Sequence, residues 1–274
     1  MRSLAMALKK TACLLSLVLF VHSPQAYGSG TGKIDPRAGV PAQQLQSDLG
    51  GLKIVEKKEA VSNKKLHYKI KIALPQLAGV DSARVEKFNQ AVAKLAAAQT
   101  REFKKRVNEY LHDPLSDEVD KWKSASPPPP YRLIISYKVI SADKDLISVL
   151  FPCYMDLHGV HGSPFTMSFN YDLNRNAPVS LADLFTQNSG YLKVISNYSI
   201  KKLKKQGKGY FAEFGAVPEV ENFHTWNIIP AGLKITFDAC QVDEYAAGER
   251  VVIVPYSVLK RIIRPDGLLA QFAK

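Results

Sequence analysis

Two histidines in a glycine-containing segment are the residues whose types and spacing could do chemistry. His158 and His161 stand three positions apart, with Asp156 before them and Asp172 after them. Imidazole and carboxylate groups together can hold zinc and support metal-assisted hydrolysis. The spacing is not that of the helical His-Glu-x-x-His arrangement, and it assigns no third ligand. We therefore expect a turn in which a histidine bonds to the backbone, with a metal site as the alternative.

The other sequence patterns of hydrolases are incomplete. The chain contains no Gly-x-Ser-x-Gly segment, and no histidine partner is signalled for a cysteine. Ser62 and Lys65 have the Ser-x-x-Lys spacing of penicillin-binding enzymes, as do Ser199 and Lys202, but the companion Ser-Asp-Asn and Lys-Thr-Gly triplets are absent. We therefore assign no catalytic residue and no cofactor.

Residues 1–26 have the pattern of a cleavable export signal. The basic residues Arg2, Lys9 and Lys10 come first. An apolar run over 11–21 follows and ends in small residues. The run has about half of the ~20 residues that cross a bilayer, so we expect cleavage and no stable membrane anchor. The sequence thus predicts a periplasmic or secreted protein.

The chain is basic, with a formal net charge of +12. Removal of the signal takes away three basic and no acidic residues and leaves +9. A basic balance often indicates nucleic acid as a partner. An exported protein meets anionic wall polymers and lipid headgroups instead, so we expect no nucleic-acid ligand.

Two cysteines, Cys153 and Cys240, remain after the predicted cleavage. An oxidising compartment would allow a disulfide between them. Cysteines on buried strands can equally stay packed as free thiols. The sequence leaves both alternatives open.

Alternation and helical periodicity predict an α+β fold with antiparallel sheets. Apolar and polar residues alternate from Leu66 to Leu74, which is typical of a strand with one buried face. From Ser82 to Leu111 apolar residues recur at helical spacing and predict a long amphipathic helix packed on a sheet. A second helix is predicted over 190–206, and we interpret its lysine-rich face as solvated surface rather than an anion site. Further strands are expected over 52–61, 131–140, 145–155, 165–173, 223–229, 233–240 and 250–255, with a short closing helix over 257–263.

A capping box is predicted at Ser180 and Asp183. Val179 and Leu184 on either side have the positions of its hydrophobic staple. The four residues together predict the start of a helix.

Composition marks a leader at the start of the remaining chain. Residues 27–50 show no apolar period and are typical of a flexible leader. The length that follows allows one large domain or two small ones.

The order of the sequence motifs resembles that of a known family of extracellular domains. The segments that carry the resemblance are Ile135–Ile140, Leu146–Phe151, the His161-Gly162 loop, Phe169–Leu173, Val179–Phe185, Gly232–Phe237, Tyr245–Gly248 and Val254–Tyr256. They are similar to the RsiV-like family, found in the ectodomain of the anti-sigma factor RsiV and in the N-terminal, non-catalytic region of the deacetylase PdaC. The similarity runs from about Leu52 to Ile263. The family usually has Gly-Gly-Ala-His where this chain has His158 to His161, and a turn glycine where it has Asn176.

The resemblance implies a two-part α+β ectodomain, with domains over 51–157 and 158–274, that binds a partner and contributes no catalytic residues. Whether the first domain folds alone stays open, because strands of the second can complete its sheet. RsiV binds lysozyme, so the implied partner is a lysozyme-type hydrolase or cell-wall polymer. Lysozyme is cationic, and a chain of charge +9 repels it at long range unless an acidic patch such as 117–120 makes the contact. We expect an exported cell-envelope binding module. A metal-assisted hydrolase at the His158/His161 loop and an envelope structural protein without ligand are the alternatives.

Overall fold

The structure is a computed structural model that describes residues 49–112, 129–158 and 161–273. The predicted export signal and all but the last two residues of the predicted leader lie outside the described residues. None of the helices within these ranges is long and apolar enough to cross a membrane.

Seven strands form a large sheet, sheet 1. They are β1 (Lys53–Asn63), β2 (Tyr68–Ala78), β3 (Tyr131–Ile135), β4 (Lys138–Ala142), β5 (Leu146–Asp156), β6 (Ser163–Asp172) and β7 (Ala177–Pro178). The order is β1-β2-β3-β5-β6-β7, and β4 also pairs with β5. β2 and β3 are parallel, connected through the long helix α1 (Ser82–His112), and the other pairs are antiparallel. The predicted α+β class is confirmed.

One face of α1 forms the first core together with sheet 1. Phe88, Val92, Phe103 and Val107 are fully buried there. The edge of the Phe88 ring meets Tyr171 of β6, with ring centroids 5.2 Å apart. Each such burial stabilises the fold by roughly 1.5–3 kcal/mol. The predicted long amphipathic helix is therefore present and packs on the sheet as expected.

A proline in β5 divides the strand that faces it. One strand was expected over 131–140, and the structure has β3 and β4 instead. Between them the backbone N–H and hydroxyl of Ser136 both donate to the carbonyl oxygen of Pro152, at 3.0 Å each. Pro152 has no backbone N–H that could donate to Ser136 in turn, so the ladder of hydrogen bonds is interrupted at that point.

The second lobe has its own sheet and core. Sheet 2 contains β8 (Trp226–Ile229), β9 (Gly232–Phe237) and β10 (Arg250–Val254) in the antiparallel order β10-β9-β8. The α-helices of this lobe are α2 (Tyr191–Lys205), α3 (Ala212–Gly215) and α4 (Tyr256–Leu259), and 3-10 helices lie at Leu181–Leu184, Val220–Phe223, Tyr245–Ala247 and Ala270–Phe272. Ile195 and Leu203 of α2 are fully buried in the second core with Ile235 of β9.

Sheet 1 extends beyond the boundary predicted between residues 157 and 158. β6 and β7 carry it to Pro178, and Phe169 and Tyr171 of β6 belong to the first core. Strands of the second predicted domain therefore complete the sheet of the first. The division into two domains at this position stays a prediction.

Buried polar side chains join the two sheets, and we name Ser148, Asn170 and Asn227 the inter-sheet polar cluster. All three are almost entirely buried. The Ser148 hydroxyl donates to the Asn170 side-chain oxygen at 2.6 Å. The Asn227 amide donates to the Ser148 hydroxyl at 2.9 Å and to the Val149 carbonyl at 3.1 Å. The Asn170 amide donates to the Trp226 carbonyl at 2.9 Å, so the cluster connects β5 and β6 to β8.

A second polar connection centres on Asp238, directly after β9. The backbone N–H and hydroxyl of Thr166 in β6 donate to Asp238 Oδ1 at 2.9 and 2.5 Å. His224 Nε2 lies 3.5 Å from Asp238 Oδ2. The hydrogen bond with Asp238 raises the pKa of His224 above its ordinary value of 6.5, although burial acts in the opposite direction.

Cys153 is a free, buried thiol, so a disulfide with Cys240, which the sequence allows, is not formed in this structure. Its Sγ donates to the Phe151 carbonyl at 3.4 Å. Burial raises the pKa of the Cys153 thiol to about 12, with a smaller contribution from the Asp238 charge. Of the two alternatives that the sequence left open, Cys153 takes that of the packed, protonated thiol.

We expect Asn227→Ala to lower the free energy of unfolding by roughly 1–3 kcal/mol, because the Ser148 hydroxyl and the Val149 carbonyl lose a buried donor. Urea unfolding followed by circular dichroism measures the change. Ser62→Ala removes a hydroxyl from an exposed position of β1 and should change stability by less than about 0.5 kcal/mol. Equal effects of the two substitutions would show that the cluster does not hold the sheets together.

The raised pKa of His224 predicts a pH-dependent stability. Its contribution is complete below pH 6.5 and is lost as the pH rises through the higher pKa of the folded state. The effect should be small, since 45% of the His224 side chain is exposed. Thermal unfolding between pH 6 and about 8.5 should show this decrease in the wild type and not in His224→Gln. His112→Gln, at the exposed end of α1, should leave the decrease in place.

Candidate functional site

The predicted histidine segment joins β5 to β6. Asp156, the last residue of β5, accepts a bond from Arg132 at 2.7 Å and one from the His158 backbone N–H at 3.0 Å. Burial acts to raise the pKa of Asp156, but the hydrogen bonds from Arg132 and His158 outweigh it and the pKa is lowered. The Asp156 carboxylate is therefore held ionised in a pair with Arg132.

The two histidines stack on different tyrosines. The His158 ring lies on Tyr131 of β3, and the His161 ring lies on Tyr245 of the second lobe, with centroids 4.4 Å apart in each case. His161 Nδ1 is also 3.1 Å from the carbonyl oxygen of Gly162, a backbone contact of the kind expected from the sequence. The segment thus places one imidazole against each lobe.

Asp172 lies at the opposite end of the β5–β6 hairpin. The register pairs Asp172 with Leu146, whereas Asp156 is at the far end of β5. Ten residues of strand separate the two positions, or about 33 Å at ~3.3 Å per residue. Within the described ranges, no group of three or more His, Cys, Asp or Glu side chains is placed to hold a metal ion. The structure therefore does not bring the four predicted ligands together.

Asp172 instead lines a groove on the second lobe. The groove consists of two adjoining hollows of about 820 and 460 Å³, which share Asp183, Arg264 and Asp266. Both volumes are within the ~300–1,000 Å³ of small-molecule sites. We name this feature the Arg264 groove. Its other polar and aromatic lining includes Arg175, Gln187, Asn188, Ser189, Tyr191 and Lys193.

A short antiparallel contact brings Arg264 to this place. Phe185 pairs with Ile263 in an isolated β-bridge. The Arg264 N–H donates to the Leu184 carbonyl at 3.0 Å, and the Thr186 N–H donates to the Ile262 carbonyl at 2.9 Å. Residues distant in sequence therefore form the two walls of the groove.

The predicted capping box forms one end of that wall. The backbone N–H and hydroxyl of Ser180 both donate to Asp183 Oδ2 at 2.8 Å. The helix that follows is one 3-10 turn, Leu181–Leu184, because Phe185 is extended and pairs with Ile263. The sequence predicted the start of this element correctly but not how soon it ends.

Opposite charges alternate along the groove. The backbone hydrogen bond from Ser180 is the main cause that lowers the pKa of Asp183, and the charges of Arg175 and Arg264 act in the same direction. Arg264 Nε lies 3.1 Å from Asp266 Oδ1, in a pair that is half-exposed to solvent. The groove consequently offers both hydrogen-bond donors and acceptors, with charged groups of each sign.

Two stacked rings and a tight turn complete the groove. The rings of Phe185 and Tyr191 are nearly parallel, with centroids 4.8 Å apart. Asn188 and Gly190 have positive φ angles of 59° and 69°, which asparagine and glycine tolerate best. This turn exposes the amides of Gln187 and Asn188 at the rim.

The titratable side chains that line the groove carry carboxyl, guanidinium, ammonium and phenol groups. No histidine or cysteine is among the described residues that line it, and the Asp183 carboxylate is held ionised. Sequence reasoning identified Asp172 and the Asp183 capping box but missed Arg264 and Tyr191. Tyr191 carried no signal beyond a helix start, and Arg264 reaches the groove through a long-range contact that has no local pattern.

Comparisons with known proteins agree with this architecture. Residues 182–257 match the model of a family described as "Protein of unknown function (DUF3298)". Two solved DUF3298 structures have a similar fold. One, from Bacteroides fragilis, is 17% identical with a TM-score of 0.60 and covers 83% of this chain and all of its own. The other, from Pseudomonas aeruginosa PAO1, is 15% identical with a TM-score of 0.51 and covers 78% of this chain and 94% of its own.

The chain is also similar to a curated bacterial protein, peptidoglycan-N-acetylmuramic acid deacetylase PdaC of Bacillus subtilis. The two are 25% identical over 183 residues, which is 65% of this chain and 37% of PdaC. The chain thus spans little more than a third of the length of PdaC. The finer resemblance to RsiV ectodomains stays a prediction. The matches together show a chain with the DUF3298 fold, the family's sequence pattern over residues 182–257, and similarity to part of PdaC.

Proposed function

We propose that this protein is an exported binding module of the cell envelope that holds peptidoglycan in the Arg264 groove. The observation that carries the proposal is the composition of that groove. Stacked aromatic rings, exposed amides and charged groups of both signs line a single open cleft. Aromatic faces with a few placed polar groups are typical of sites for polar organic ligands.

Peptidoglycan matches this composition group by group. Its sugars carry hydroxyl and N-acetyl groups, which pair with the amides of Gln187 and Asn188. The free carboxylates of its stem peptides pair with a cation such as Arg264 or Lys193. An open groove can also bind a polymer, because the middle of a polymer chain can enter it from the side without threading of a chain end.

Similarity to part of PdaC supports the choice of ligand. PdaC is, by its name, a deacetylase that acts on peptidoglycan. Binding and not deacetylation is proposed here, because the groove contains no histidine or cysteine among its described lining and its Asp183 is ionised. Export is part of the proposal and depends on the signal pattern of residues 1–26.

A lysozyme-type partner, implied by the resemblance to RsiV, is the weaker hypothesis. A net charge of +9 after signal removal opposes approach of a cationic protein. The acidic stretch 117–120 that would have to overcome this repulsion lies outside the described residues.

We expect Arg264→Ala to weaken binding to isolated peptidoglycan about tenfold or more, the factor that corresponds to loss of one charge-assisted hydrogen bond of ~1.5 kcal/mol. Co-sedimentation of the processed protein with purified sacculi measures the affinity. Arg106→Ala is the matched control, since Arg106 also forms a half-exposed pair with a carboxylate, Glu102 of α1, far from the groove in sequence. It should bind as the wild type does.

Three outcomes would contradict the proposal. Equal binding by Arg264→Ala and Arg106→Ala would remove the groove as the site. An absence of saturable binding in the wild type would favour a structural envelope protein without a ligand. Release of acetate from the sacculi, measured in the same samples, would favour the enzyme alternative.

A further inference from the structure

Two aromatic side chains project from the second lobe where the lysine-rich end of α2 meets α3. Tyr210 is 81% exposed and Phe214 is 72% exposed, the highest values among the aromatic residues described. Full exposure of large apolar rings is unfavourable unless a partner covers them. We name Tyr210, Phe214, Lys201, Lys205 and Lys208 the aromatic-lysine tip.

The tip is a fixed structure and not a loose loop. The Gly209 N–H donates to Asp243 Oδ2 at 3.1 Å, and the Phe211 N–H donates to the Val242 carbonyl at 2.9 Å. The Tyr210 ring meets the half-buried Phe211 ring edge-on, with centroids 5.0 Å apart. Gly209 has a positive φ of 74°, and a Cβ there would lie 2.8 Å from Leu203 Cβ. The backbone that carries the two exposed rings is therefore fixed.

Lysines lie on the adjoining end of α2 and close to Tyr210 in sequence. Lys201, Lys204 and Lys205 share one face of α2 by their spacing of three and four residues. Lys204 forms an ion pair with Glu213, next to Phe214, which ties this face to α3. Within the described part of the chain, Lys201, Lys205 and Lys208 are exposed and form no ion pair. Their charge is available to an anionic partner.

We propose that the aromatic-lysine tip is a peripheral contact site for an anionic phospholipid surface. Tyrosine and phenylalanine gain by entering the interfacial layer of a bilayer, where one side is apolar and the other wet. Lysines bury their stems there and place their ammonium groups at lipid phosphates. A polyanion in water would satisfy the lysines but leave the rings exposed. The combination of both groups therefore favours a lipid surface.

The contact is separate from the Arg264 groove and does not depend on peptidoglycan binding. It also differs from a membrane anchor, since two rings and a few lysines give reversible, salt-sensitive binding. A peripheral contact of this kind is consistent with the predicted loss of the export signal.

Co-sedimentation of the processed protein with vesicles tests the proposal. We expect binding to vesicles of phosphatidylcholine mixed with phosphatidylglycerol, and much weaker binding to phosphatidylcholine alone. The double variant Tyr210→Ser, Phe214→Ser should bind the mixed vesicles about tenfold more weakly or worse, because it loses the apolar area of two rings. Lys201→Glu combined with Lys205→Glu should reduce binding similarly at low salt and less at high salt.

A matched control exists at the tip of the β1–β2 hairpin. Val61 is a half-exposed apolar residue there, next to the exposed Lys64 and Lys65. The triple variant Val61→Ser, Lys64→Glu, Lys65→Glu makes the same kinds of change in a basic surface of sheet 1, and it should bind lipid as the wild type does. Circular dichroism melts confirm that each variant is folded.

Three results would overturn the proposal. One is unchanged lipid binding of Tyr210→Ser, Phe214→Ser. Another is an equal loss in the hairpin control, which would indicate attraction by net charge alone. The third comes from a parallel measurement with soluble polyphosphate in place of vesicles. If Lys201→Glu, Lys205→Glu loses binding to polyphosphate while Tyr210→Ser, Phe214→Ser still binds both polyphosphate and vesicles, the tip is a site for a polyanion.

Discussion

The contact between the two sheets depends on three buried polar side chains. Ser148, Asn170 and Asn227 are withdrawn from water, and each finds its hydrogen-bond partner on the other members of the cluster or on the backbone of Val149 and Trp226. A hydrophobic contact alone would allow the sheets to slide, since apolar burial has no direction. Hydrogen bonds have a fixed geometry and favour one relative position, because sliding would break them and leave further buried groups without a partner, beyond Asn227 Oδ1, which already has none. Together with the Asp238 connection, this constraint orients the second lobe and places the groove.

The periodic elements could be predicted from the sequence, because each reports its own burial. The apolar residues of α1 recur at helical spacing and are those that contact sheet 1, and the alternation in β2 marks its buried face. Local interruptions were less visible. Pro152 lies within an apolar run that predicts a strand correctly, but its effect falls on Ser136 of the neighbouring segment, sixteen residues away. The sequence pattern of one strand does not show which hydrogen bonds the neighbouring strand lacks.

The candidate site was harder to predict, since its parts come from distant segments. Asp183 was visible as a capping residue, which is a local pattern, but Arg264 lies beside it only because Phe185 and Ile263 form a bridge. The two histidines were candidate metal ligands by residue type. In the structure each imidazole packs on a tyrosine ring and does not face the other imidazole. Residue type identifies groups that could do chemistry. Whether they converge is decided by strand register, which separates Asp156 from Asp172 by the length of β5.

Helix α2 links the two proposed surfaces in one rigid element. Its first residues, Tyr191 and Lys193, line the Arg264 groove, and its C-terminal part carries Lys201 and Lys205 of the aromatic-lysine tip. Fifteen residues at ~1.5 Å per residue make the helix about 22 Å long. The burial of Ile195 and Leu203 in the second core fixes this rod in the lobe. The Arg264 groove and the aromatic-lysine tip therefore lie at opposite ends of one fixed helix, so that a ligand at one site leaves the other site open.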